Sequence, residues 1–360
     1  MTRKGYHMRR KLTAPILAFG LIVGAAAPAL ACAGLVAPNG SVRLTRTATL
    51  AGFHDADGDG VGVEHYITSF AFQGGGAKFG SIVPLPDVPS KVTRGGKWTL
   101  QRLAQETQPP QPVPAAGEAD ADSGGSAEEL YETEIDGLLI TILKGGGRAV
   151  GRWAKDEGFA LTPDSPEVLR FYAQRSKIFM AARFIPEKAE EEKLQEGDGI
   201  PIHLRIPTDN PWVPLRILAL GKKPFADIAA DVYLLTDIEP ATLPAPAEPG
   251  KRGLILERSE QASDLLLDDL RDDKGMKWVP EEMWLTYFRI DVNARKLTYD
   301  LAIDASGAGA PSEEDAYGVQ EEEESEEEQT APSYLIGWIV VPAAVGLGSL
   351  RAARAFKRRR

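Results

Sequence analysis

The sequence predicts an α+β protein, built mostly of antiparallel β-sheets with a few short helices, plus one C-terminal transmembrane helix. Three observations carry that expectation. Apolar residues recur with period two in short runs bounded by Gly, Pro and Asp, so strands outnumber helices. Most neighbouring runs are joined by segments too short for a crossover, which favours antiparallel pairing. Residues 334–350 carry no charge, and every charged residue after them is basic.

At the amino end Arg3, Lys4, Arg9, Arg10 and Lys11 precede an apolar run from Leu12 to Leu30 that closes in Ala29-Leu30-Ala31. Cations, then apolar residues, then small side chains is the order of a secretory signal peptide. Residues 1–31 are therefore expected to be removed. Cys32 would become the new amino terminus, open to lipidation, although Ala29 stands where a lipid-attachment signal usually has Leu.

The exported residues 32–305 read as one extracytoplasmic domain. Val42, Leu44, Ala48 and Leu50 alternate with Arg43, Thr45, Thr47 and Thr49 as a first strand. Glu64 to Phe72 is a second, with Tyr66, Thr68, Phe70 and Phe72 on one side. Gly74-Gly75-Gly76 turns the chain into a strand at Phe79–Leu85, and Trp98–Glu106 has helical spacing. Residues 108–127 hold Val113 as their largest aliphatic side chain, too little apolar surface to offset the entropy of ordering, so a disordered loop is expected there.

Further on, Glu132–Leu143 reads as one strand and Arg148–Glu157 as a helix. Ser165 opens another helix with Pro166 at its first position. Strands are expected at Ile178–Ile185, Ile200–Ile206, Val213–Leu220 and Ala230–Leu235, a helix at Ser259–Arg271, and a closing hairpin of Trp284–Asp291 with Lys296–Ile303 around Asn293.

Residues 306–332 contain ten acids in Glu313–Asp315 and Glu321–Glu328, and their self-repulsion predicts an extended, disordered stalk. Residues 333–350 form the expected span. Tyr334–Leu350 rises about 26 Å as a helix, and Ala352, Ala353 and Phe356 extend it if Arg351 and Arg354 snorkel, against a hydrocarbon core of about 30 Å. The tail, 351–360, carries Arg351, Arg354, Lys357, Arg358, Arg359 and Arg360, which places it in the cytoplasm by the positive-inside rule.

Charge is segregated along the chain. With the basic ends set aside, residues 32–332 carry 30 basic against 52 acidic residues, a formal −22 where the whole chain is −11. Such a surface repels nucleic acid, which is excluded as a partner, and attracts cations or basic proteins.

The sharpest local pattern is His54-Asp-Ala-Asp-Gly-Asp-Gly-Val-Gly-Val-Glu-His65. Asp55, Asp57 and Asp59, spaced by two and followed by Gly60, copy the first half of a calcium loop. The twelfth position is Tyr66 and Glu64 stands at the tenth, so the pattern is not an EF-hand. Three readings stand: a plain acidic hairpin turning at Asp59-Gly60, with Phe53 opposite Tyr66 and Asp55 opposite Glu64; a weak calcium site on Asp55, Asp57, Asp59 and Glu64; and a transition metal on His54 and His65.

Gly145-Gly146-Gly147 breaks the spacing of a dinucleotide loop, so no cofactor is assigned. Asp264, Asp268, Asp269, Asp272 and Asp273 are the acids open to paired-carboxylate chemistry, though with Leu265, Leu266 and Leu270 they read more simply as a helix's wet face. No catalytic residue is assigned, and His203, between Ile202 and Leu204, reads as a strand-face residue.

Several blocks carry a family resemblance: Ala31-Cys32-Ala33-Gly34; Phe79-Gly-Ser-Ile-Val-Pro-Leu-Pro-Asp-Val-Pro89; Trp153-Ala-Lys-Asp-Glu-Gly-Phe159; Leu169-Arg-Phe-Tyr172; Phe179-Met-Ala-Ala-Arg183; Pro211-Trp-Val-Pro-Leu-Arg-Ile217. In that order they resemble the bacterial family called domain of unknown function 2330, over about residues 31–237 with a weaker tail to about 300. The resemblance implies an exported domain, often tethered by a C-terminal span, with no assigned activity. Members often carry more than one cysteine near the mature start, whereas Cys32 is alone here, so an intramolecular disulfide is impossible.

The expected function is that of a single-pass membrane-anchored binding or envelope-maintenance module whose partner is an envelope protein or a glycan. The alternative is an extracytoplasmic carboxylate-dependent hydrolase.

Overall fold

The computed structural model describes residues 47–56, 62–71, 80–107, 127–159, 161–192, 199–246 and 253–319. The expected signal peptide, the span at 333–350 and the basic tail lie outside them, as do residues 108–126 of the expected loop. Among the described residues no helix is long and apolar enough to cross a membrane.

The elements in chain order are β1 (Thr47–His54), β2 (Gly62–Ala71), β3 (Gly80–Leu85), β4 (Lys91–Arg94), α1 (Thr99–Thr107), β5 (Glu128–Ile135), β6 (Leu138–Lys144), α2 (Gly147–Asp156), α3 (Ser165–Arg175), β7 (Ile178–Phe184), α4 (Pro186–Glu191), β8 (Gly199–Thr208), β9 (Trp212–Val213), β10 (Asp227–Thr236), β11 (Ala241–Leu243), β12 (Leu254–Gln261), α5 (Asp264–Asp272), β13 (Trp284–Asn293), β14 (Leu301–Asp304) and α6 (Glu313–Tyr317). They form a seven-stranded sheet, β12-β13-β10-β1-β2-β8-β4, a four-stranded sheet, β3-β7-β6-β5, and a three-stranded sheet, β11-β14-β9. Pairing is antiparallel except between β1 and β10. The architecture is α+β-like, with mostly antiparallel, mixed sheets and a few short helices.

Period-two alternation assigns the faces. Ala51 and Tyr66 of the large sheet pack with Ile140, Ile142 and Met180 of the four-stranded sheet and with Leu301 and Ile303 of the small one. Leu50, Ile67 and Leu235, on the opposite face of the large sheet, lie with Leu100 and Leu103 of α1 and Leu266 and Leu270 of α5. The outer face of the four-stranded sheet, through Leu143 and Phe179, carries Trp153 of α2 and Leu169 and Tyr172 of α3. Each fully buried Leu or Ile contributes about 1.5–3 kcal/mol. Gly147 lets α2 and α3 approach: a Cβ there would sit 2.5 Å from the Arg170 backbone nitrogen.

Several sequence expectations are corrected. The single strand read at Glu132–Leu143 is a hairpin, β5–β6, because Asp136 (φ 47°) and Gly137 (φ 78°) supply the left-handed pair that a type I′ turn requires. The strand read at Val213–Leu220 ends at Val213 and becomes a 3₁₀ turn at Arg216–Ala219. Asp300 drives this, accepting the Leu215 and Arg216 amides at 2.7 and 2.8 Å. The helix read from Ser259 begins at Asp264 instead. Residues up to Gln261 extend β12, and Ser263 Oγ caps α5 by accepting Leu266 N–H at 3.2 Å. Trp284–Asp291 and Lys296–Ile303 are not a hairpin: β13 lies between β10 and β12, whereas β14 lies between β11 and β9. The alternating Leu297, Tyr299, Leu301 and Ile303 face the inter-sheet core and not a β13 partner. Folded structure also runs past the expected stalk boundary, since Ala316 of α6 is fully buried.

Candidate functional site

The parallel pairing of β1 with β10 brings the carboxyl ends of two strands together, Phe53 opposite Thr236. As a result His54 Nδ1 lies 2.8 Å from Asp237 Oδ1, and the Asp55 amide donates to Asp237 Oδ2 at 3.0 Å. Asp237 had no signal in the sequence, because a contact between residues so far apart in the chain depends on the parallel pair.

The β1–β2 register differs from the expected one by two residues. Phe53 faces Glu64, His54 faces Val63, and Gly52 faces His65. The pairing ends at His54 and Val63, and the like-charged Asp55–Glu64 pairing does not occur. Asp57 and Asp59 lie outside the described residues. Glu64 is wholly buried on the inter-sheet side, and neither carboxyl oxygen makes a hydrogen bond. Among the described residues no group of three His, Cys, Asp or Glu is arranged to hold a metal.

Burial pushes the Glu64 carboxyl well above the usual carboxylate range; the Trp212 N–H offsets part of this without forming a hydrogen bond of normal geometry, and Asp315 adds to it. A raised folded-state value means that the favourable contribution is complete below the unfolded value of about 4.3 and is lost as pH rises through the folded value. Glu64→Gln is therefore expected to be more stable than the wild type at pH 7, by about 1 kcal/mol or more, with the gain vanishing toward pH 4. Urea denaturation at the two pH values checks this; equal midpoints at pH 7 would refute it.

On the other face of the large sheet His65 Nδ1 lies 2.9 Å from His203 Nε2, and the His65 ring stacks on Trp278 with centroids 3.7 Å apart. Gly52 makes this possible, since a Cβ there would stand 2.1 Å from the Trp278 ring. A transition metal shared by His54 and His65 is not what this geometry supplies: His54 is bonded to Asp237 and His65 to His203. Burial lowers His65 to about 2, helped by His203 and Arg205, and lowers His203 to about 4, helped by Arg205 and Lys91. Both rings are neutral in the fold, one donating to the other.

Above pH 6.5 the two imidazoles are neutral whether the chain is folded or not. Below it the unfolded chain binds protons that the folded one refuses, so stability falls by up to about 1.4 kcal/mol per pH unit for each ring. The slope of stability between pH 5 and 6.5 is expected to flatten in a His65→Gln/His203→Gln double variant. An unchanged slope would show that the pair does not resist protonation.

The aspartates of α5 do not act as a set. Asp269 pairs with Arg102 at 2.7 Å, Asp268 with Arg271, and Asp272 lies 3.7 Å from Lys277. Asp273 turns inward: Oδ1 accepts Lys97 N–H at 2.9 Å, and Oδ2 accepts Trp98 N–H, Thr99 N–H and the Thr99 hydroxyl at 2.9, 2.9 and 2.8 Å.

A second buried carboxylate, Asp300, accepts Tyr172 Oη–H at 2.9 Å, the Leu215 and Arg216 amides, and Arg175 Nη2. The Arg175 guanidinium lies over Phe171, Tyr172 and Trp212, 4.5, 5.0 and 4.6 Å from the ring centroids. The blocks Leu169–Tyr172 and Pro211–Ile217, which carry the family resemblance, thus meet around one carboxylate. The sequence hid Asp300, because it stands out of phase with the alternating Leu297, Tyr299, Leu301 and Ile303 and so reads as a solvent-facing position.

Among solved structures the chain is similar to baculovirus P35. It has 8% identity and a TM-score of 0.37 with a mutated P35 after caspase cleavage, over 74% of this chain and 99% of that one. It has 9% identity and 0.37 with P35 itself, over 72% and 96%, and 7% identity and 0.34 with the caspase-8/P35 complex, over 73% and 92%. No curated protein matches. Residues 26–248 match the family described as an uncharacterized protein conserved in bacteria, domain of unknown function 2330. That match spans more than half of the chain, so this protein belongs to the domain of unknown function 2330 family.

Proposed function

We propose that this chain is an exported binding module, held on the outer side of a membrane by one C-terminal span. The observation that carries the reading is the charge pattern at the two ends. Cations at 3–11 stand before an apolar leader, and every charged residue after the uncharged residues 334–350 is basic. The buried acids support binding over catalysis, because Asp273 and Asp300 are each committed to several backbone amides. The partner class is an envelope protein or a glycan. Residues 54–65 serve as a plain acidic hairpin, a reading supported by the withdrawal of Glu64 into the core; melting is then expected to be unchanged by millimolar calcium.

The test is topological. Protease added to intact cells is expected to digest the folded part, and carbonate washing is expected to leave the undigested chain in the membrane pellet. Full protection of the folded part from protease, or release of the chain by carbonate, would overturn the reading.

A further inference from the structure

We propose that the outer edge of β5 accepts an extended basic segment of a partner protein as an added strand. The inference rests on the binding-module reading and specifies its surface. Among the described residues β5 is the last strand of its sheet, paired on one side only, with β6, and just beyond its carboxyl end Asp136 pairs with Arg94 of β4. Glu128 to Glu132 are solvent-facing, including Leu130 at 37% and Tyr131 at 45%. An unpaired strand edge offers a row of N–H and C=O groups to an incoming chain.

The other edges are less suited. β3 contains Pro84, which lacks a donor, and β4 is four residues long. β12 carries a bulge between Leu256 and Arg258, and its charges are mixed and already paired, Arg258 with Glu260 and Glu257 with Arg289. β5 also has an irregularity, between Glu129 and Tyr131, but from Tyr131 to Ile135 its pairing is regular.

Charge selects the occupant. β5 holds Glu128, Glu129, Glu132 and Glu134 and no cation. Glu129 accepts from Trp153 Nε1 at 2.6 Å and Glu134 lies 3.9 Å from Lys188; Lys144 stands opposite Glu128 in the ladder, and Glu132 stands opposite the uncharged Thr141. Pairing with β5 of a second copy would set these acids against one another, which disfavours it. A basic strand has the opposite sign. Register places Glu132 and Glu134 on the face of Thr141, and Tyr131 and Thr133 on the face of Ile142 and Ile140. The fitting segment therefore alternates Lys or Arg with apolar residues.

The test uses the purified full chain and three short fluorescent peptides: one alternating lysine and valine, its glutamate–valine counterpart, and the lysine–valine peptide N-methylated at every amide. The first is expected to bind and to slow hydrogen exchange at residues 131–135. The other two are expected to bind at least about tenfold more weakly, the loss of about 1.4 kcal/mol. Glu128→Gln/Glu132→Gln, at two exposed positions, places no like charge opposite Lys144 and is expected to melt like the wild type and to weaken binding of the first peptide. Equal binding of the methylated peptide would mean adsorption by charge alone. Protection on another segment, or no binding of the first peptide, would mean that the acids merely keep the edge unpaired. Each of these results overturns the proposal and leaves the membrane topology, tested separately, untouched.

Discussion

Replacing Asp273 by alanine is expected to lower the stability of the folded part by about 3–5 kcal/mol. The residue is 3% exposed and reaches the start of α1 from a distant point in the chain. Removing its carboxylate leaves the amides of Lys97, Trp98 and Thr99 without their acceptor, together with the Thr99 hydroxyl and the Lys274 N–H that Oδ1 accepts at 2.8 Å. Each orphaned buried donor costs about 1–3 kcal/mol, and the favourable placement of a negative charge at a helix N-terminus is lost as well. Leu100 and Leu103 of α1 are fully buried beside α5, so a frayed α1 also weakens that layer. Gly96→Ala is expected to have a related effect, since a Cβ there would stand 2.2 Å from Asp273 Oδ2 and displace the carboxylate. Urea denaturation provides the measurement. A midpoint shift worth less than about 1 kcal/mol for Asp273→Ala would show that water replaces the cap at little cost.

Arg175→Met is expected to cost about 3–5 kcal/mol, because it strands the Asp300 carboxylate in the core. Both partners are essentially without solvent contact, with side chains 1% and 0% exposed. Burial pushes Asp300 above the usual carboxylate range even though Arg175 and the Arg216 amide act against it. For such a pair the desolvation cost nearly cancels the attraction, so losing one member is worse than losing both charges. Arg175→Met combined with Asp300→Asn, which keeps an acceptor for the Leu215 and Arg216 amides, is therefore expected to be more stable than Arg175→Met alone. The reverse order would show that the ion pair itself is strongly net favourable. The single variant should also loosen α6, because Arg175 donates to the carbonyl of Asp315. Faster hydrogen exchange around Ala316, whose carbonyl accepts the Asp300 amide at 2.8 Å, would report that loosening.

Strand faces were legible before any coordinates. Tyr66 and Phe70 share the inter-sheet side, as their spacing requires, and Leu100 and Leu103 fall on the buried side of α1. The hairpin at Asp136-Gly137 was missed: Asp-Gly is a strong turn signal, but the mostly apolar run Leu138–Leu143, broken only by Thr141, makes Glu132–Leu143 read as one strand. The candidate acids were less readable. Asp273 lies next to solvent-facing acids and differs from them in its destination alone.

The amino-acid order by itself determined the charge segregation, the periods of strands and helices, and the faces those elements bury, because each depends on neighbours a few residues apart. Only the tertiary structure decided that β1 and β10 run parallel, that Glu64 faces Phe53, and that Asp300 gathers α3, β9 and α6. Those outcomes turn on register and on pairings between distant segments, where a shift along the chain leaves the local pattern intact but changes every partner.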